Sequence, residues 1–78
     1  DAIFLFEHNG KFIRKIGIQG HAKNEYVKID NFTVNENGDT IYLLDFDKVK
    51  TYTSENQFVN TYELDDEYGW DDLKKKKK

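Results

Sequence analysis

The chain contains no cysteine, so neither a disulfide nor a thiolate metal site is available to it. This absence does not settle the compartment, because many secreted proteins also have no cysteine. No apolar run approaches the ~20 residues that a membrane-spanning helix needs. Ser54 is the only serine and lies in a predicted turn, which argues against a Ser-His-Asp set. The net charge of −3 argues against a general nucleic-acid binder.

What remains is a short, aromatic chain. Its 78 residues predict one small domain at most, and a domain of this size is marginal unless oligomerisation or a metal supports it. The aromatic share of 15% favours a packed core over disorder. Because the first residue is Asp and not Met, we expect a processed chain or an excised piece.

One stretch of about sixteen residues occurs twice. Residues 3–18 read IFLFEHNGKFIRKIGI and residues 49–64 read VKTYTSENQFVNTYEL. Aligned without a gap, they place Phe6 on Tyr52 and Phe12 on Phe58, at an offset of 46 residues. This offset is close to the ~40–50-residue period of propeller blades. Each copy predicts two strands joined by a short turn.

The turn in each copy fits a three-residue hairpin loop, with Gly10 and Asn56 in the left-handed αL position. This register sets Phe6 opposite Phe12 and Tyr52 opposite Phe58. It also divides the hairpins into two apolar faces, which predicts that both faces are covered. In the first copy the faces are Phe4, Phe6, Phe12 and Ile16 against Ile3, Leu5 and Ile13; in the second they are Tyr52, Phe58 and Tyr62 against Val49, Thr51 and Val59.

The whole pattern predicts an all-β chain, an antiparallel meander of about six strands of the β-propeller-blade type. The predicted strands are residues 2–7, 11–17, 31–35, 40–45, 48–53 and 57–63. Residues 1–64 form the β module, and residues 65–78 form an acidic and poly-lysine tail that is flexible or a short helix. Within this tail, Asp71 and Asp72 suit a helix start, and Tyr68 and Trp70 are interpreted as an aromatic latch over an open sheet face, with sugar stacking or partner docking as the alternative.

The strings IFLFEHNGKFIRKIGIQG and EYVKIDNFTVNENGDTIYLLDFDKVKTYTSENQFVNTYEL resemble the NHL-like six-bladed β-propellers, most closely those of Bacteroidetes cell-envelope proteins. The resemblance implies about one and a half blades: residues 31–63 as a full blade, and residues 2–17 as the two outer strands of the blade before it. It also implies an extracytoplasmic location. Two arrangements follow, either a fragment of a longer propeller or one continuous six-stranded antiparallel sheet covered by a partner copy.

No residue pattern predicts a catalytic, cofactor or metal site. His8 and His21 are interpreted as solvated loop residues, although with Asp45 or Asp47 they contain metal-ligating groups. Asp45 and Asp47 are expected to bond backbone N–H groups of their turn. Oxygen-rich residues at 30–31 and 35–39 lack the spacing of a calcium loop and are assigned to turns. Asp65, Asp66, Glu67, Asp71 and Asp72 are assigned to a solvated tail.

The sequence thus predicts a non-catalytic binding or interaction module with no cofactor. Its expected partners are a protein, further blades of the same propeller, or a second copy of the chain, and no nucleic acid. The alternative is a metal-dependent propeller enzyme of the lactonase or lyase type, in which Asp30, Asp45 or Asp47 would be ligands. A self-associating structural module is the third hypothesis.

Overall fold

A computed structural model of the chain describes residues 2–65 and 69–71. All six regular elements in these residues are β-strands: β1 (Ile3–Phe6), β2 (Phe12–Ile16), β3 (Asn31–Val34), β4 (Thr40–Asp45), β5 (Lys48–Thr53) and β6 (Phe58–Glu63). They match the predicted strands to within one residue at almost every end. Residues 70 and 71 have helical backbone conformation, and the rest of the predicted tail helix lies outside the described residues.

The strands form two antiparallel sheets. The first contains β1 and β2, and the second has the order β3-β4-β5-β6. The expectation of one continuous six-stranded sheet is therefore wrong. A long connection over residues 17–30 separates β2 from β3 and lets the first hairpin stack on the second sheet. Stacking buries Ile3 and Ile16 in one cluster with Ile41, Leu43 and Tyr52, whereas edge-on pairing would leave a face of each uncovered.

Both copies of the repeated hairpin have the predicted turn. Gly10 (φ 93°) and Asn56 (φ 66°) lie in the left-handed region. The amide of Gly10 donates to the carbonyl of Glu7 at 2.8 Å, and the amide of Asn56 donates to that of Thr53 at 2.9 Å. The predicted cross-strand pairs are also present, with ring centroids 5.7 Å apart in each of two edge-on contacts: Phe6 with Phe12, and Tyr52 with Phe58.

The predicted faces are right for the first strand of each hairpin and wrong for the residues of the second strand that follow the aromatic pair, because each hairpin contains a bulge. Leu5 pairs with Arg14 and Phe6 with Phe12, so Ile13 is an extra residue; Thr51 pairs with Asn60 and Tyr52 with Phe58, so Val59 is its counterpart. One extra residue reverses every side chain that follows it. Ile16 consequently shares the face of Ile3, and Tyr62 shares that of Val49.

Among residues 2–65 and 69–71, only one face of the first hairpin is covered. Ile3 and Ile16 are 7% and 0% exposed because they pack against the second sheet. Phe4, Phe6 and Phe12, on the opposite face, are each between 52% and 55% exposed. The prediction of cover on both sides is confirmed for the second hairpin, in which Val49 and Thr51 on one face and Tyr52 on the other are buried. In the first hairpin it is met on one side, and the phenylalanine face (Phe4, Phe6 and Phe12) is open.

The loop over residues 17–30 fixes how the two sheets stack. Its Tyr26 is 1% exposed and belongs to the central cluster. Gly17 has φ 79°, and a Cβ there would lie 3.0 Å from the Tyr26 ring and 3.4 Å from the Tyr52 ring. The Gly17 amide also donates to Asn56 Oδ1, at the tip of the other hairpin, at 2.6 Å. This close approach requires glycine and joins the two repeated hairpins directly.

Candidate functional site

An open cleft of about 340 Å³ lies between the loop over residues 17–30 and the turn that joins β4 to β5. The lining residues combine a single aromatic side chain with groups of both charges. They are Gly20, His21, Ala22, Glu25, Val27, Asp45, Phe46, Asp47, Lys48 and Lys50. Small-molecule sites are usually clefts of ~300 Å³ or more that contain a few converging polar groups.

Asp45 joins the two walls of this cleft. The residue is 5% exposed, and its carboxylate accepts hydrogen bonds from the amides of Val27 at 2.7 Å and Lys28 at 3.2 Å. A buried carboxylate is stabilised by two such donors, and each bond to a charged group contributes about 1.5–3 kcal/mol. Asp45 does bond backbone N–H groups as predicted, but these belong to the preceding loop and not to its own turn.

Asp30 makes the reciprocal contact from the loop to the turn. Its Oδ2 accepts from the amide of Phe46 at 2.8 Å, and its Oδ1 lies 3.2 Å from Lys28 Nζ. The hydrogen bond from Phe46 and the ammonium of Lys28 lower the pKa of the Asp30 carboxyl. Two carboxylates therefore hold loop and turn together: Asp45 at the turn accepts from amides of the loop, and Asp30 in the loop accepts from an amide of the turn.

The turn itself has an unusual residue at its tip. Asp45 pairs with Lys48, which leaves Phe46 and Asp47 as a two-residue loop, and Phe46 has φ 58°. Asp47 has no positive φ, so the loop has the pattern of a type II′ turn, whose first central position favours glycine. A bulky side chain in this region is an outlier and is strained. Phe46 is also 62% exposed, with Lys28 Nζ 5.9 Å from its ring centroid.

The polar groups of the cleft are partly engaged. Glu25 Oε1 accepts from the amide of Ala22 at 3.0 Å, and Lys50 Nζ donates to the carbonyl of Lys23 at 3.1 Å. The side chains of His21, Asp47 and Lys48 belong to exposed residues on the rim. The cleft thus offers hydrogen-bond donors and acceptors together, with no charge of one sign in clear excess.

Two buried tyrosines, Tyr26 of the loop itself and Tyr52 of β5, attach the loop to the core. The Tyr52 hydroxyl donates to the carbonyl of Asn24 at 3.1 Å, and Tyr52 is 2% exposed. Burial raises the pKa of Tyr52 to about 12, and the nearby Tyr26, Asp45 and Glu25 add to this rise. Burial also raises the pKa of Tyr26. The loop that forms one wall of the cleft is therefore anchored in the core of the fold.

The structure brings three of the four candidate metal-ligating residues to one cleft and leaves the fourth apart. His8 is exposed at the tip of the first hairpin, whereas His21, Asp45 and Asp47 line the cleft. Among residues 2–65 and 69–71, no three His, Asp or Glu side chains converge in a way that could hold a metal ion. The acidic tail positions 66, 67 and 72, together with Tyr68, lie outside the described residues.

The oxygen-rich residues at 35–39 form a turn. Asn35 Oδ1 accepts from the amides of Asp39 at 3.0 Å and Thr40 at 3.1 Å, and the amide of Gly38 donates to the Asn35 carbonyl. Asn31 Oδ1 accepts from its neighbour Phe32 at 2.8 Å. The Asn35 oxygens bond the backbone of their turn, as the assignment to turns predicts, whereas Asn31 is the first residue of β3. The sequence did not lead us to Phe46. Its signal was an aromatic residue between two aspartates, at a turn position that favours glycine.

Comparison with known proteins gives the family. A family model described as a 6-bladed beta-propeller matches residues 1–77. The chain belongs to this six-bladed β-propeller family. Membership agrees with the two stacked antiparallel sheets and with the repeated hairpin, and it does not distinguish an NHL-like subgroup. None of the curated proteins compared with this propeller chain is significantly similar to it.

A solved structure is also similar to this propeller chain. It is the crystal structure of a protein from Bacteroides fragilis NCTC 9343 that is described as exported. The two are 29% identical with a TM-score of 0.68, over 81% of this chain. The match spans 19% of the length of the Bacteroides protein. Among the described residues of the present chain, no helix has the length and apolarity to cross a bilayer.

Proposed function

We propose that this chain is a non-catalytic binding and interaction module that forms part of a larger six-bladed propeller outside the cytoplasm. The observation that carries the proposal is the incomplete first sheet. By the repeat, β1 corresponds to β5, and β5 pairs on both sides, with β4 and β6. Among the described residues β1 pairs with β2 alone, so its second edge and its phenylalanine face are both open.

The way the two sheets stack supports the same conclusion. The Ile3 and Ile16 face of the first hairpin covers the Tyr52 and Phe58 face of the second sheet. By the repeat, Phe6 and Phe12 correspond to Tyr52 and Phe58. A preceding sheet of the same type would therefore cover the phenylalanine face, and propeller blades stack in this way around a ring. An extracytoplasmic location is supported by the exported Bacteroides protein, which this chain resembles over a part of its length.

Binding is favoured over catalysis by how the carboxylates are used. Asp30 and Asp45, two of the three candidate metal ligands, accept backbone hydrogen bonds that hold the loop and turn together. A metal-dependent propeller enzyme remains the rival. Adding Ca²⁺ at millimolar concentration should leave the thermal unfolding midpoint unchanged, because a ligand stabilises the folded state only if it binds there. A rise of several degrees in the unfolding midpoint, at a Ca²⁺ concentration about 100 times the dissociation constant for Ca²⁺, would favour the metal-dependent enzyme.

Sedimentation of the chain tests the proposal directly. Three half-exposed phenylalanines on one face should cause self-association that increases with concentration, because no other sheet in the described part of the chain covers them. Phe6→Asp should shift the chain toward monomer, and Lys11→Asp, a charge change at an exposed hairpin-loop position, is the matched control. A clean monomer for the unchanged chain at all concentrations would contradict the idea that this face docks on another sheet.

A further inference from the structure

We propose that the cleft around Phe46 binds a neutral saccharide ring, stacked on the exposed phenyl group. This inference rests on the proposed binding function and names the ligand class of its site. The first observation is the strained backbone of Phe46, because strain persists where the surrounding structure enforces it and is concentrated at binding sites. Glycine would remove this strain, yet the position holds a large apolar side chain that is 62% exposed.

The second observation is that the strained turn is held in place before any ligand arrives. Asp45 bonds the amides of Val27 and Lys28, and Asp30 bonds the amide of Phe46. The amide of Asp30 also donates to the carbonyl of Leu44 at 2.9 Å. These contacts fix the backbone of the turn beside the cleft, so binding requires little ordering of the turn. Preorganisation of this kind raises affinity by reducing the entropy lost on binding.

The composition of the lining decides the ligand class. The wall combines apolar groups with five charged side chains, and these charged groups do not suit a wholly apolar molecule. Three carboxylates and two ammonium groups line the cleft, giving a formal charge of −1 with His21 neutral, which does not favour a simple anion or a simple cation. A saccharide ring has one apolar face made of C–H groups and a rim of hydroxyls that both donate and accept. The C–H face suits stacking on the phenyl ring, and the hydroxyl rim suits hydrogen bonding to the side chains of Asp47, Lys48 and His21.

The size of the cleft is consistent with one ring. A volume of about 340 Å³ accommodates a single hexose ring. A ligand of this size that gains ~0.3 kcal/mol per non-hydrogen atom reaches a dissociation constant on the order of 1 mM. We therefore expect weak binding by a single ring, which further contacts from a larger propeller would strengthen.

NMR titration of the chain tests this proposal. The probes are the methyl glycosides of glucose, galactose, mannose and N-acetylglucosamine, each added to about 50 mM. At least one should shift the Phe46 ring signals and the amides of residues 20–25. Phenylalanine, a zwitterion, and inorganic phosphate, an anion, are the charged controls and should not shift these signals. If none of the glycosides moves them, or if the charged controls do so instead, the saccharide assignment is wrong.

Phe46→Gly separates binding from folding. Glycine is preferred at this turn position, so the variant should unfold at the same or a higher temperature while glycoside affinity falls at least about ten-fold. Phe32→Ala, which removes a 50% exposed ring outside the cleft, should leave glycoside affinity unchanged. If Phe46→Gly binds as well as the unchanged chain, or unfolds more easily, Phe46 has a structural role and the proposal fails. Conversion of a bound glycoside, seen in its anomeric signal, would instead refute the non-catalytic function and leave the site intact.

Discussion

The close approach of Gly17 to two tyrosine rings leads to a prediction that the chain can test with an internal control. Gly17 and Gly38 have almost the same backbone angle φ, 79° and 78°. They differ in their surroundings: a Cβ at Gly38 meets no atom within 4 Å, whereas a Cβ at Gly17 lies 3.0 and 3.1 Å from Tyr26 ring atoms. Alanine at each position therefore carries the same conformational penalty, and only Gly17→Ala adds a steric conflict.

The expected magnitudes follow from these two contributions. A left-handed conformation costs a residue with a Cβ roughly 1–2 kcal/mol, so Gly38→Ala should reduce the free energy of unfolding by that amount. Overpacking of a tight core adds roughly 1–3 kcal/mol, so Gly17→Ala should lose that much more than Gly38→Ala. Urea unfolding followed by fluorescence measures both, and an unchanged dependence of this free energy on urea would show that only stability has altered.

A second substitution identifies the ring that causes the conflict. In a Tyr26→Leu background the smaller side chain leaves room for the new methyl group, so Gly17→Ala should cost about as much as Gly38→Ala. The difference between the two backgrounds is the coupling energy of the pair. If Gly17→Ala costs no more than Gly38→Ala in the unchanged chain, Tyr26 does not pack on Gly17, and the stacking of the two sheets is not as described.

Three further predictions concern groups around the cleft. The folded pKa of Tyr52 is raised to about 12, so the contribution of Tyr52 to the free energy of unfolding is fully present below pH 10 and is lost as the pH rises from about 10 to 12. The unchanged chain should therefore lose up to about 2–3 kcal/mol of unfolding free energy over this range, and Tyr52→Phe should not show this loss. Because the folded pKa of Asp30 is lowered, its contribution is present above the ordinary value of 3.8 and is lost as the pH falls below it; Asp30→Asn should flatten the acid limb of stability measured by urea unfolding at pH 5 to pH 2.5. Asp45→Ala leaves two amides without their acceptor and should cost about 2–4 kcal/mol in the same assay, whereas Asp45→Asn, which keeps one acceptor oxygen, should cost less. Equal losses for Asp45→Ala and Asp45→Asn would contradict the account of Asp45, and a pH profile for Asp30→Asn or Tyr52→Phe that runs parallel to that of the unchanged chain would contradict the corresponding pKa shift.

The repeated hairpin made much of this fold predictable. Strand positions, the αL residues Gly10 and Asn56 and the aromatic pairs depend on local chemistry that both copies repeat, so each copy checks the other. The bulge at Ile13 and Val59 was not predicted, since both positions hold ordinary β-branched residues that suit a regular strand. One missed residue was sufficient to place Ile16 and Tyr62 on the wrong faces.

The cleft could not be read from the sequence for a different reason. Its two stabilising carboxylates accept hydrogen bonds from amides 16–18 residues away, and nothing local indicates which backbone amides they contact. The stacking of the first hairpin on the second sheet was equally hidden, because alternation of apolar residues shows that a face is buried and not what covers it. The loop over residues 17–30 decides that arrangement, and its sequence has no clear periodicity.

The two outer surfaces of this stack are chemically different. One bears three half-exposed phenylalanines, whereas on the other Val49 and Thr51 are already buried and Tyr62 is 44% exposed. Units joined through such unlike surfaces have a polarity: each accepts a neighbour at one end and offers itself at the other. Such an assembly closes only if its curvature brings the first and last units together, so an incomplete ring keeps one unpaired surface of each kind.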